Sequence, residues 1–197
     1  MPTQYVVEID GLGGQIQKLE DAPRAIRVAA SRAINRAART TRTRSAQEVR
    51  RQVAFPANRL NENLKVTKFS RPDRLEAVIT GRSRPTSLAR FARNRPARGG
   101  RVRLSVKPGR STVIGGAFLI PLRSGSANIE TRSNLGLAIR LKPGERLRNK
   151  RSFRSLGNGL YLLFGPSVDQ VFTNVAEDQI VPAGDVLEQE FLRQLDL

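Results

Sequence analysis

Arg24-Ala25-Ile26-Arg27-Val28-Ala29-Ala30-Ser31-Arg32-Ala33-Ile34-Asn35-Arg36-Ala37-Ala38-Arg39 opens the longest regular segment of the chain, which runs without Gly or Pro to about Val53. Ala and Arg are both strong helix formers. Ile26, Ala30, Ala33, Ala37 and Thr41 fall near one face of a 3.6-residue helix, and Ile34 and Ala38 widen it. Arg32, Arg36 and Arg39 share another face. An apolar stripe made mostly of Ala admits close approach by a neighbouring helix or sheet. Asp21 is a candidate N-cap, and Pro23 fits the first turn. Phe55-Pro56 stops the helix.

Beyond it the period changes. Ala57 to Leu64 spaces Leu60 and Leu64 for one or two helical turns. Lys65–Phe69 and Leu75–Gly81 read as strands around a turn at Ser70-Arg71-Pro72-Asp73. Val102, Leu104 and Val106 alternate with polar residues, Pro108-Gly109 turns the chain, and Val113–Ile120 answers as the second arm of a hairpin. Ser124-Gly125-Ser126 begins a loop, Leu137–Leu141 reads as a strand, and Gly157-Asn158-Gly159 turns into the apolar Leu160–Phe164. Gly165-Pro166-Ser167 punctuates, Val168–Val175 is short and apolar, and Asp185 reads as the cap of a final helix carrying Val186, Leu187, Phe191 and Leu195 on one face. Tyr5–Ile9 could add an edge strand, broken by Gly11-Leu12-Gly13-Gly14. The expected class is α+β: a long N-terminal helix and a C-terminal helix packed on a mainly antiparallel β-sheet with long basic loops. Residues 1–20 read as an N-terminal arm and 21–197 as a single domain.

Charge is unevenly placed along this order. Of 35 Lys+Arg and 17 Asp+Glu, residues 24–164 hold 33 and 6. Both ends are acidic, and the whole carries +18. Such self-repulsion opposes compaction unless a polyanion or an acidic partner is near. Arg far outnumbers Lys, and Arg holds phosphate bidentately. Two stretches concentrate it. Residues 82–101 read as a mobile basic loop with Arg90, Arg93, Arg95, Arg98 and Arg101, in which Leu88, Phe91 and Ala92 could form one helical turn, and residues 145–155 carry Arg146, Arg148, Lys150, Arg151 and Arg154. These ten are the candidate contacts to DNA phosphates or to acidic neighbouring subunits. Arg32, Arg36 and Arg39 on the long helix, with Asp185, Glu188 and Glu190 on the last, are candidates for docking between subunits.

Several classes are disfavoured. The chain has no Cys and no His, hence no disulfide, no thiolate site and no imidazole base. Gly11-Leu12-Gly13-Gly14 lacks the strand, helix and Gly-Lys-Ser/Thr of a phosphate loop. Glu48, Glu62, Asp73 and Glu76 sit among cations and read as ion-pair partners rather than a hydrolytic pair. No cofactor or metal is expected, and no catalytic residue. No apolar run reaches membrane-spanning length, and Met1–Tyr5 lacks the features of a secretory signal. Aromatics are 5% with no Trp, so base stacking is not expected to dominate, and phosphate contact without sequence reading remains.

Ala29-Ala30-Ser31-Arg32-Ala33-Ile34-Asn35-Arg36-Ala37-Ala38, Gly116-Ala117-Phe118 and Gly165-Pro166-Ser167-Val168 with Val171-Phe172 follow one another in an order that resembles the minor tail protein Z family of long-tailed phages. The late helix resembles that family's closing element, while Tyr5–Gly14 and the acid-rich C-terminus depart from the family's pattern. The resemblance covers roughly residues 20–195. It implies a tail completion protein, a non-enzymatic virion component made in the host cytoplasm and sited at the head-proximal end of the tail. It further implies a hexameric ring that joins tail terminator or tail tube to the head connector around packaged DNA. A free-standing, sequence-nonspecific nucleic-acid-binding protein is the alternative. A virion nuclease or lytic enzyme is a third reading, which the missing His, Cys and paired carboxylates oppose.

Overall fold

The structure, a computed structural model, describes residues 23–94, 100–122, 134–142, 144–147 and 152–195. The expected arm, the Asp21 cap, the Gly11–Gly14 break and the loop begun at Ser124 lie outside the described residues. The class is α+β, with a long N-terminal helix, a C-terminal helix and antiparallel pairing of all the described strands. Among the described residues the strands form three sheets rather than one, of two, five and two strands. Where the sequence reads as one domain, the chain divides into two compact units, one of residues 23–49, 60–83 and 169–195, the other of 50–59 and 84–168. No described helix is long and apolar enough to cross a membrane.

The first unit is built on α1, Arg24–Gln52. The Pro23 carbonyl accepts its opening bonds from the Ile26 and Arg27 amides at 3.0 and 3.2 Å. Ala29, Ala30, Ala33 and Ala37 are buried, as the apolar stripe predicts, while Arg32, Arg36 and Arg39 are exposed. A short helix α2, Ala57–Asn63, leads without a loop into β1, Leu64–Lys68, which pairs with β2, Val78–Gly81. Two side chains tie β1 to α1: Asn35 exchanges bonds with the Ser70 backbone at 2.9 and 2.7 Å, and Arg42 Nε donates to the Leu64 carbonyl at 2.9 Å. Helix α3, Val168–Ala176, follows the Gly165-Pro166-Ser167 break. A single 3₁₀ turn, Glu177–Gln179, joins it to α4, Ile180–Leu195. Asp185 therefore lies inside a helix and not at its start. Pro182 falls in the first turn, where its missing N–H has no intrahelical partner to lose.

The second unit holds β3, Thr86–Ser87; β4, Arg101–Leu104; β5, Thr112–Gly115; β6, Ala117–Pro121; β7, Leu135–Arg140; β8, Phe153–Gly157; and β9, Leu160–Gly165. The hairpin expected around Pro108-Gly109 is β4–β5, with Val102 opposite Ile114. Its second arm does not continue to Ile120. Gly116 takes a φ of 69°, a conformation L side chains rarely adopt, and the chain restarts as β6 in the five-stranded sheet. There β6 pairs with β7, β7 with β9, and β9 with β8 and β3. Ala89, Ala92, Val102, Leu104, Ala117, Leu135, Leu137 and Leu163 form the buried cluster of this unit.

Backbone approach is closest where β2 ends. A Cβ at Gly81 would stand 2.8 Å from the Asp169 Cα and 3.1 Å from its nitrogen, and the Asp169 amide donates to the Arg82 carbonyl at 3.2 Å. Neither obstructing atom belongs to a flexible side chain. Gly81→Ala is expected to destabilise the protein by about 1–3 kcal/mol in urea titrations, the usual cost of overpacking. The Asp169 side chain is itself buried, its Oδ1 lacks a hydrogen-bond partner, and burial raises its carboxyl above the ordinary 3.8. A raised carboxyl gives up stability as pH climbs from its unfolded value through the folded one. Asp169→Asn should therefore raise the melting temperature at pH 7, with the gain vanishing below about pH 3.8.

Candidate nucleic-acid interface

The ten candidate phosphate contacts divide into described and undescribed positions. Arg95, Arg98, Arg148, Lys150 and Arg151 lie outside the described residues. The other five belong to the second unit. Arg93, Arg101, Arg146 and Arg154 are exposed, and Arg90 is half-buried on a 3₁₀ turn, Leu88–Phe91.

Much of what the sequence reads as loop is ordered structure. In the 82–101 stretch, Thr86 and Ser87 form β3, Ala89, Phe91 and Ala92 are buried, and Phe91 packs against Phe55 with ring centroids 5.6 Å apart. The apolar residues Leu88, Phe91 and Ala92 suffice to nucleate this turn, and Ser87 caps it by accepting from the Ala89 amide at 3.3 Å. Arg101 opens β4. In the 145–155 stretch, Arg154 sits in β8, a strand formed because Gly157, Asn158 and Gly159 all take positive φ and fold it back on β9. Phe153 anchors that strand edge-on to Tyr161, with centroids 5.4 Å apart.

This order brings to Arg93 and Arg101 a cation that lies outside the 82–101 cluster. The Arg93 amide donates to the Arg103 carbonyl at 2.8 Å. Asn94 closes the link, its Nδ2 donating to the Arg101 carbonyl at 2.8 Å and its Oδ1 accepting from the Arg103 amide at 2.7 Å. Arg93, Arg101 and Arg103 are thus carried on one backbone platform, all exposed, with no carboxylate partner among the described residues. Arg103 is the residue that sequence reasoning missed. Its signal is the alternation of β4, where Val102 and Leu104 point inward and Arg101 and Arg103 outward. Arg140 joins Arg154 by a similar route. The registers Arg140↔Leu160 and Ala138↔Leu162↔Arg154 put both guanidinium-bearing residues on one face of the sheet.

The candidate docking residues occupy the first unit. Arg32, Arg36, Arg39, Asp185 and Glu188 are exposed, and Glu190 is half-buried. Helix α4 lies beside α1 in the same chain: Arg44 Nη1 donates to the Pro182 carbonyl at 3.3 Å, and Thr41, Ser45, Ala176 and Ala183 share one crevice with Ile79 and Phe172. The acidic helix that the sequence reading docks on a neighbour's basic helix already adjoins its own. Glu190 accepts from Arg193 Nη2 at 2.6 Å and Nε at 3.1 Å, and from Gln194 at 3.1 Å. Those bonds to Arg193, with lesser contributions from Gln194 and the charges of Arg193 and Arg36, hold its carboxyl below the ordinary 4.5. Of the acids expected to pair with nearby cations, Glu76 bonds Arg74 at 2.5 Å. Among the described residues no acids gather as metal ligands.

A carboxyl with a depressed folded-state value contributes stability above its unfolded value and loses it as pH falls through the folded one. Glu190→Gln should lower the melting temperature slightly at pH 7, and the difference from the parent should close as pH falls below 4.5. Comparison with protein-family models, with curated proteins and with solved structures finds no match to this chain.

Proposed function

We propose that this chain is a non-enzymatic structural protein of the head–tail junction of a long-tailed phage, a tail completion protein that assembles as a hexameric ring and presents arginines to the phosphates of packaged DNA. The observation that carries the polyanion part is the Arg93, Arg101 and Arg103 platform, fixed by Asn94 and free of carboxylates among the described residues. A backbone held this way keeps three guanidinium groups on one short stretch of surface, where they can meet phosphate without base-reading geometry. The family resemblance supports the rest of the reading. Its residues fall at packing positions: Ala29, Ala30, Ala33 and Ala37 on the buried face of α1, Ala117 after the Gly116 turn, and Ser167-Val168 buried at the start of α3. Tail terminator, tail tube and head connector would be the protein partners. The free-standing nucleic-acid binder remains the second reading, favoured by the apposition of α1 and α4 within one chain.

Light scattering of the purified protein, alone and with short duplex DNA, tests this. The ring reading expects a hexamer, or a monomer that forms one with tail components. A monomer that binds duplex tightly at moderate salt and never assembles would overturn it in favour of the free-standing binder. Duplex binding should weaken steeply with salt in either case. Replacing Arg93, Arg101 and Arg103 together with Ala should reduce the slope of log K against log salt by about 2–3, at roughly 0.9 for each phosphate no longer neutralised.

A further inference from the structure

Phe69 is 48% exposed, in a chain with only eight Phe and no Trp. It stands at the end of β1, where a register shift between Val66 and Lys68 breaks the strand's alternation and leaves Thr67, Lys68 and Phe69 exposed in succession. The ring is held in place. The next residue, Ser70, is buried and bonded in both directions to Asn35 of α1, and its Oγ donates to the Arg74 carbonyl at 3.2 Å. Arg71 and Arg74 exchange backbone bonds of 2.9 Å across Pro72-Asp73, so the turn that follows is closed as well. One helical turn beyond Asn35, Arg39 sets its guanidinium over the Phe69 ring, 5.2 Å from the centroid.

We propose that Phe69 and Arg39 form a stacking platform for an unpaired base of a single-stranded nucleic acid, with Arg32, Lys68 and Arg71 holding the adjoining phosphates. All three of those cations are exposed and without a carboxylate partner among the described residues. Asp73 is the acid at the tip of the turn, and Glu76 is occupied by Arg74. A planar guanidinium stacks on an aromatic ring and bonds phosphate at its edge, whereas Lys at position 39 would supply only a point charge. A flat exposed ring between cations suits a base with its own π-face, and an acidic protein segment would use the cations but leave the ring idle. A duplex keeps its bases paired and cannot reach the platform. The site belongs to the first unit and involves none of the arginines assigned to duplex phosphates, so it holds or fails independently of the head–tail reading.

The absence of Trp makes the test direct. Phe69→Trp places a single indole at the platform, and a stacked base quenches its fluorescence. Titration with an oligo-dT of about 20 nucleotides, longer than the roughly 4–16 that one binding domain occupies, should quench it along the same curve that fluorescence anisotropy of labelled oligo-dT follows. The matching duplex should leave the indole bright. Phe69→Ala should weaken oligo-dT binding about tenfold, within the range of one lost base stack, and leave duplex binding unchanged. Arg39→Lys should give a smaller loss for oligo-dT alone. Thermal melting of each variant checks folding, and the exposure of Phe69 and Arg39 predicts little change. Unquenched indole at saturating oligo-dT, or unchanged affinity in Phe69→Ala, would overturn the proposal. So would displacement of oligo-dT by polyglutamate with the indole unaffected, which would assign the surface to an acidic protein.

Discussion

Repulsion among the guanidinium groups is the constraint the rest of the structure answers. Between residues 24 and 164 there are 33 cations and 6 acids, so pairwise neutralisation within that stretch cannot hold the fold together. Separation does so instead. Helix α1 turns an alanine face inward through Ala29, Ala33 and Ala37 and sends most of its arginines out, and β4 does the same through Val102 and Leu104. Small inward residues let backbones approach closely, and burial of alkyl surface at about 25 cal/mol per Å² then works against a charge density that water and salt screen. Polar ties to the backbone, such as Asn35 to Ser70 and Asn94 to Arg101 and Arg103, fix geometry without adding or removing charge.

That arrangement decides how much of the molecule was legible in its sequence. The long helix was readable almost to the residue, because Ala and Arg alternate there with helical period and Pro56 supplies a stop. Strands that alternate, β4 among them, were equally plain. Elements whose apolar content is thin were not. The strand starting at Phe153 rests on an aromatic anchor within an arginine run, where composition resembles loop, while the turn around Phe91 was legible only as one helical turn inside a basic loop. The apolar run Val113–Ile120 misled in the opposite direction, since nothing in hydropathy marks that Gly116 bends the chain from one sheet into another.

The site followed the same logic. Arginine-rich stretches were visible as charge, but which arginines share a surface depends on hydrogen bonds between Arg93 and Arg103, or on sheet registers linking Arg140 with Arg154. The platform at Phe69 was invisible for a related reason. A lone Phe in Lys68-Phe69-Ser70 reads as the apolar end of a strand, and only the bulge before it and the helix beside it turn the ring outward.

The first unit is discontinuous along the chain. Its α1 and β1–β2 segments precede residues 84–168, and α3 and α4 follow them. The second unit draws most of its residues from that single intervening stretch. On a ribosome delivering the chain from its N-terminus, the β-rich unit has all its residues before Asp169 appears, while α1 still lacks the α3 and α4 residues that share a crevice with its Thr41 and Ser45. The bond from the Asp169 amide to the Arg82 carbonyl joins the two borders of that stretch, and the loop-closure entropy it must overcome grows only slowly with length. The first unit is therefore completed only after the second has all its residues, and a nascent chain stalled before Val168 would display the Thr41 and Ser45 face of α1 to whatever chaperone or partner is present.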